Sequence, residues 1–170
     1  LKKNKKFIFK KIDICNFAKL EEYFKKNKFD IVINLAAQAG VRYSIKHPEE
    51  YVKSNLVGFF NILELSKIKK IKHLLFASTS SVYGGLNKYP FNEKDNTDKP
   101  LSFYAATKKS NEMMAYSYSN IHKLPITSMR FFTVYGPMGR PDMALYKFAN
   151  GIIKNKKINL FNKGNHYRDF

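Results

Sequence analysis

The chain has 170 residues, 44% of them hydrophobic, enough to bury the core of one domain or of a large piece of one. Its formal charge is +18, from 31 Lys and Arg against 13 Asp and Glu, but the lysines are spread over every segment, which argues for a solvated surface and against a nucleic-acid partner. Cys15 is the only cysteine, which excludes an internal disulfide and any cysteine-based metal cluster.

No window approaches the roughly 18 uninterrupted apolar residues of a membrane span. The lysine-rich start, LKKNKKFIFKK, lacks the apolar segment of a signal peptide, so a cytoplasmic protein with no membrane partner is expected. His47, His73, His122 and His166 show no metal-ligand spacing. Met113 and Met114 read as helix-packing residues.

In chain order, FAKLEEYFKKNK (17–28) predicts a short helix and FDIVINLAA (29–37) a buried strand ending in small residues. HPEEYVKSNLVGFFNILELSKIKK (47–70) opens with Pro48 and two glutamates and closes on lysines, so both ends suit a helix dipole. HLLFAS (73–78) is a second buried strand. A turn-rich loop with Gly84, Gly85, Pro90 and Pro100 precedes a helix at about 102–122. PITSMRFFTVYG (125–136) predicts a third strand, 142–156 a helix and INLF (158–161) a short strand. This alternation argues for an α/β fold: a parallel sheet covered on both faces, with ligands beyond the carboxyl ends of its strands.

Three strand-end stretches carry small, hydroxyl-bearing or arginine residues: NLAAQAG with Arg42, STSSVYGG, and TVYGPMGRPD with Arg140. In SFYAATKKSNE (102–112), Tyr104 and Lys108 stand four apart on one helical face, where the ammonium would lower the phenol's pKa. With 11 tyrosines in so lysine-rich a chain, the pair alone decides nothing. Thr79 ends the preceding strand and gives the pair its chemistry. A tyrosine base needs a hydroxyl to align the substrate OH and a fixed cation to hold its phenolate.

NLAAQAGVRYS, STSSVYGG, YAATKKSNE, RFFTVYGPMGRPDMALYKF and the closing RDF occur in this order over nearly the whole chain. In this the chain resembles the extended short-chain dehydrogenase/reductase family, specifically the nucleotide-sugar 4-epimerases and most closely those acting on UDP-glucuronate. The resemblance implies a Rossmann-like doubly wound parallel sheet and bound NAD. Tyr104 is then the base, Lys108 the residue at the nicotinamide ribose, and Thr79 the hydroxyl at the sugar's 4-OH. It further implies dinucleotide contacts from Asp13, Leu35, Ala36, Ala37, Asn55, Ala77 and Phe131. Ser80, Ser81, Thr133, Arg140 and Arg168 would meet the UDP-sugar. Arg42 has two readings, a contact near the sugar or a loop arginine that satisfies backbone carbonyls; Arg130, before the strand end, reads as structural.

The implied reaction is internal redox: hydride leaves sugar C4 for NAD+ as Tyr104 takes the 4-OH proton, and returns to the other face of the 4-keto sugar. The Ser80–Ser81 pair after Thr79 offers no carboxylate, which favours epimerisation over the elimination run by dehydratase relatives. Alternatives are a 4-epimerase of another UDP-sugar (glucose/galactose or N-acetylhexosamine), and a non-catalytic dinucleotide- or RNA-binding member of the fold.

The family's opening βαβ unit with its glycine-rich pyrophosphate turn, and its C-terminal substrate-capping region, have no counterpart here. Residues 1–170 are therefore expected to form a single partial NAD-binding domain, beginning within a strand, with the start of the substrate-binding region at about 157–170. Alone, this piece of a longer protein is expected to be inactive. A homodimer is expected of the full-length protein, through the helices at 47–70 and 102–122.

Overall fold

The computed structural model of the chain describes residues 4–165. Its first helix, α1 (Phe17–Lys26), starts where the Asn16 side chain accepts a hydrogen bond from the Lys19 N–H at 3.0 Å, and it ends on Lys25 and Lys26, which suit the negative end of the dipole. Leu20 and Phe24, one turn apart, are its buried residues. β1 (Ile31–Asn34) follows, then α2 (Val41–Lys46), α3 (Pro48–Tyr51), a π-helical turn Val52–Val57 and α4 (Gly58–Ile68). β2 (His73–Thr79) runs into a 3-10 turn, Ser80–Tyr83. α5 (Phe103–His122), β3 (Ile126–Phe131), α6 (Ala144–Ile153) and a second 3-10 turn, Phe161–Gly164, complete the order.

β1 and β2 pair in parallel, from Ile31 opposite His73 to Asn34 opposite Phe76, and β3 lies on the other side of β2. Leu74 donates its N–H to the Pro125 carbonyl at 2.9 Å. The core gathers Leu20 and Phe24 of α1, Phe59, Ile62, Leu63 and Leu65 of α4, Leu74 and Phe76 of β2, and Ala115 of α5. Gly58 allows a close approach: a Cβ there would lie 2.7 Å from the end of the Ile14 side chain, which would have to shift.

The chain packs as two compact units, Leu1–Arg130 and Phe131–Phe170. The region expected to begin substrate binding at 157 falls inside the second.

Several expectations are corrected. The helix expected over 47–70 is interrupted by the π-turn, and GVRYS is helical (α2) where a loop was expected. β1 stops at Asn34, and in the loop that follows the Gln38 N–H and C=O are both bonded to the Asn55 side chain in place of a neighbouring strand. β3 stops at Phe131, short of Gly136, whose φ of +127° suits a bend. Residues 158–160 and the stretch before α1 form no strand, since a strand exists only by pairing and neither stretch pairs with a neighbour among the described residues. On the sheet face that packs against α1, α4 and α5, Asn34, Leu74 and Phe76 are buried, whereas Ile31 and Ile33, on the opposite face, are 58% and 60% exposed.

Candidate active site

Thr79 is the last residue of β2 and caps the turn that follows, its Oγ1 accepting the Ser81 N–H at 3.2 Å. It is 8% exposed. A hydroxyl used once as an acceptor keeps its proton to donate, and no described residue takes it. Ser80 and Ser81 are half-buried in the turn, and Ala77, also half-buried, precedes them on β2.

The end of β2 is fastened to α5 through Ser78, whose Oγ donates to Glu112 Oε1 at 2.6 Å. Glu112 also receives Arg130 Nε and Nη2, each at 2.9 Å, and the guanidinium lies 5.0 Å from the Tyr83 ring centre. This half-buried fork joins α5 to the ends of β2 and β3. The structural reading of Arg130 accounts for its geometry.

Lys108 lies one turn before Glu112 on α5, and Tyr104 two turns before. Ser102 starts the helix by accepting the Ala105 N–H at 3.1 Å. Lys108 is 4% exposed, and among the described residues its Nζ has no hydrogen-bond or ion-pair partner. Burial pushes its pKa down from 10.5 to about 8. The side chain is therefore a buried cation at neutral pH with donors to spare. Tyr104 is half-buried; its N–H donates to Ser44 Oγ at 3.2 Å, and its ring meets the Tyr51 ring edge-on at 6.0 Å.

Asn55 is buried and fully used. It accepts from the Gln38 N–H at 2.8 Å and donates to the Gln38 carbonyl at 3.1 Å and to Thr107 Oγ1 at 3.0 Å. Its own carbonyl accepts from Asn111 Nδ2 at 2.7 Å. These bonds hold the loop after β1 against α5. In that loop Leu35 and Ala36 are exposed and Ala37 half-buried. Asp13 is exposed and accepts the Cys15 N–H at 2.9 Å, the hydrogen bond that chiefly lowers its pKa; it shapes the turn into α1. Arg42 is exposed on α2.

Phe131, 41% exposed, ends β3. Within the second unit, Thr133 and Arg140 line one cavity of about 620 Å³, together with Tyr135, Met143 and Tyr146. Arg140 grips Asp142 with two hydrogen bonds of 3.0 and 2.6 Å. Arg168 lies outside the described residues. Sequence reasoning missed Ser44, Tyr51 and Glu112. For Glu112 a signal existed, since it continues the 104, 108 face by one more turn.

The chain matches the NAD dependent epimerase/dehydratase family over residues 1–170 and belongs to it. A probable UDP-glucuronate 4-epimerase of Rhizobium meliloti is 56% identical over 141 residues, 83% of this chain and 41% of that protein. Among solved structures, the UDP-glucuronic acid 4-epimerase of Bacillus cereus, in complex with UDP-glucuronic acid and NAD, superposes with a TM-score of 0.88 at 36% identity, over 99% of this chain and 52% of that one. A UDP-glucose 4-epimerase of Thermotoga maritima gives 0.92 at 28% identity, over 98% and 55%. The fold is thus the Rossmann-like α/β class expected from the sequence. The chain spans about half the length of the curated relatives it matches.

Proposed function

We propose that the full-length protein is an NAD-dependent 4-epimerase of UDP-glucuronate, in which this chain supplies the proton-transfer residues. The observation that carries the reading is Lys108, a buried cation without a counter-ion, one helical turn from Tyr104 and on the helix that Ser78 fastens to the strand ending in Thr79. A protein gives up stability to bury an unpaired ammonium, and a phenolate and ribose hydroxyls are the partners that would repay it.

Two features support a dinucleotide here: Lys108 has donors for a ribose, and Ala36, Ala37 and Ala77 are small residues after β1 and near the end of β2, where a larger side chain would keep a cofactor away from the chain. NAD bound there supplies a hydride acceptor that is restored at the end of the cycle. Thr79 donates to the sugar's 4-oxygen, Tyr104 removes and later returns its proton, and Lys108 holds the negative charge on the phenol between the two steps. The Asn55 network fixes the loop along which the dinucleotide lies.

Glucuronate as the sugar is favoured by Thr133 and Arg140 on one cavity wall, because a buried carboxylate needs hydroxyl or cationic partners. Arg140 already shares its fork with Asp142, so on this reading it must exchange that partner or act with it. Arg42 and Arg168 belong to the same proposal as contacts to the nucleotide sugar. A cytoplasmic location is part of it too; no helix among the described residues is long and apolar enough to cross a membrane.

The test is the Tyr104→Phe variant of the full-length protein, supplied with UDP-glucuronate. Turnover should fall on the order of 10² or more while NAD binding persists. Near-normal turnover would remove Tyr104 from the mechanism.

A further inference from the structure

The Ser44 hydroxyl has one proton and gives it to the Val41 carbonyl at 2.7 Å, which leaves its lone pairs facing outward from α2. One of them receives the Tyr104 N–H at 3.2 Å. Ser44 is 1% exposed, so no water competes for either bond. Tyr104 sits in the first turn of α5, where backbone N–H groups have no partner within the helix, and the hydroxyl that satisfies this one comes from a residue 60 positions earlier.

Tyr51 completes the arrangement. It is fully buried, its hydroxyl lies 2.6 Å from the Gly40 carbonyl and 3.1 Å from that of Ala39, and its ring supports the Tyr104 ring edge-on, 6.0 Å away at 72°. Backbone and ring of Tyr104 are thus each held from the same 40–51 segment.

We infer that Ser44 and Tyr51 are positioning residues for the Tyr104 phenol, so that the α2–α3 segment, and not α5 alone, sets where the proton is taken from. The inference rests on the reading of Tyr104 as the base. The segment also carries Arg42, so a substrate that engages Arg42 presses on the element that places the phenol. Proton transfer is steep in distance, and a displacement near 1 Å can cost on the order of 10² in rate.

The experiment uses the full-length, NAD-loaded protein with UDP-glucuronate. Ser44→Ala should lower kcat on the order of 10- to 100-fold and shift the pH dependence of kcat, with the KM for the sugar changed by no more than about twofold. Ser44→Thr, which keeps the hydroxyl, should recover most of the rate. Tyr51→Phe, which keeps the ring but unties it from the 39–40 carbonyls, should lower kcat by a smaller factor. In a Tyr104→Phe background, Ser44→Ala should remove little of the residual turnover, because its effect acts through a hydroxyl no longer present. A Ser44→Ala protein that melts earlier but turns over normally per folded, NAD-loaded molecule would overturn the inference. So would an equal loss in both backgrounds. Normal turnover by Tyr104→Phe itself would instead overturn the reading of the base, and the inference with it.

Discussion

Glu112 and Arg130, on α5 and β3, face each other as two forks, with Nε and Nη2 each 2.9 Å from a different carboxylate oxygen. The side chains are 11% and 19% exposed, so little solvent screens the pair. Burial by itself would raise the Glu112 carboxyl, but hydrogen bonds from Arg130 and Ser78 outweigh it and hold the group below its usual 4.5. A carboxylate with a depressed folded pKa contributes stability that is whole above the unfolded value and lost as pH falls through the folded one.

Glu112→Gln should therefore destabilise the protein by about 2 kcal/mol at pH 7, since it leaves the half-buried Arg130 without its counter-charge. The gap between variant and parent should narrow as pH falls below about 4.5. Denaturant unfolding at several pH values measures this; a gap independent of pH would assign the loss to packing instead of to charge.

Lys108 has the opposite sign. Its folded pKa of about 8 lies below the ordinary 10.5, so the unfolded chain holds the proton more firmly and stability rises as pH climbs between these values. Lys108→Met keeps the stem and removes the charge. Without cofactor it should be more stable than the parent at pH 7, by up to about 3 kcal/mol, with the difference shrinking above pH 8. The same variant should lose turnover. Equal stability of the two proteins at pH 7 would mean that the ammonium is already satisfied.

Sugar preference should follow Thr133. The full-length protein is expected to favour UDP-glucuronate over UDP-glucose by at least about 10² in kcat/KM, roughly 2.7 kcal/mol of differential transition-state binding. Thr133→Asn should erode that ratio more than it weakens NAD binding. Comparable kcat/KM for both sugars would overturn the glucuronate assignment and leave 4-epimerisation standing.

The outer faces of α4 and α5 carry Phe60, Met113 and Tyr116 at 45%, 57% and 73% exposure, more apolar surface than one core needs. A homodimer built on these two helices is expected for the full-length protein. Sedimentation at micromolar concentration should give a dimer, and a monomer would refute the assignment.

The sequence read well where a signal was local and periodic. The 102–122 helix is α5 at 103–122, starting at Ser102 as a capping serine should; the HLLFAS strand is β2 with one residue more. That Tyr104 and Lys108 share one face of α5 was legible because four residues is about one helical turn. What escaped was everything decided by partners far along the chain. Ser44 gives no sign in GVRYS that it will accept a hydrogen bond from a helix 60 residues on. Nor does the apolar run after β1 show that both backbone groups of Gln38 will be taken by the Asn55 side chain, 17 residues later. The INLF stretch failed for the complementary reason: strand-like composition describes only half of a ladder.

The π-turn at Val52–Val57 makes residue number, as well as residue identity, part of the design. It is held by the Gly58 N–H bonding to the Lys53 carbonyl, five residues back, and its widened loop turns the Asn55 carbonyl toward Asn111. Removing one residue within it would return the turn to α spacing and leave Tyr51 near its place, but would undo the widened loop from which Asn55 reaches Gln38 with its side chain and Asn111 with its carbonyl. Along this stretch conservative exchanges should be absorbed while a one-codon gap is not, so in a collection of working variants the segment would be recognised by its fixed length before any single letter in it.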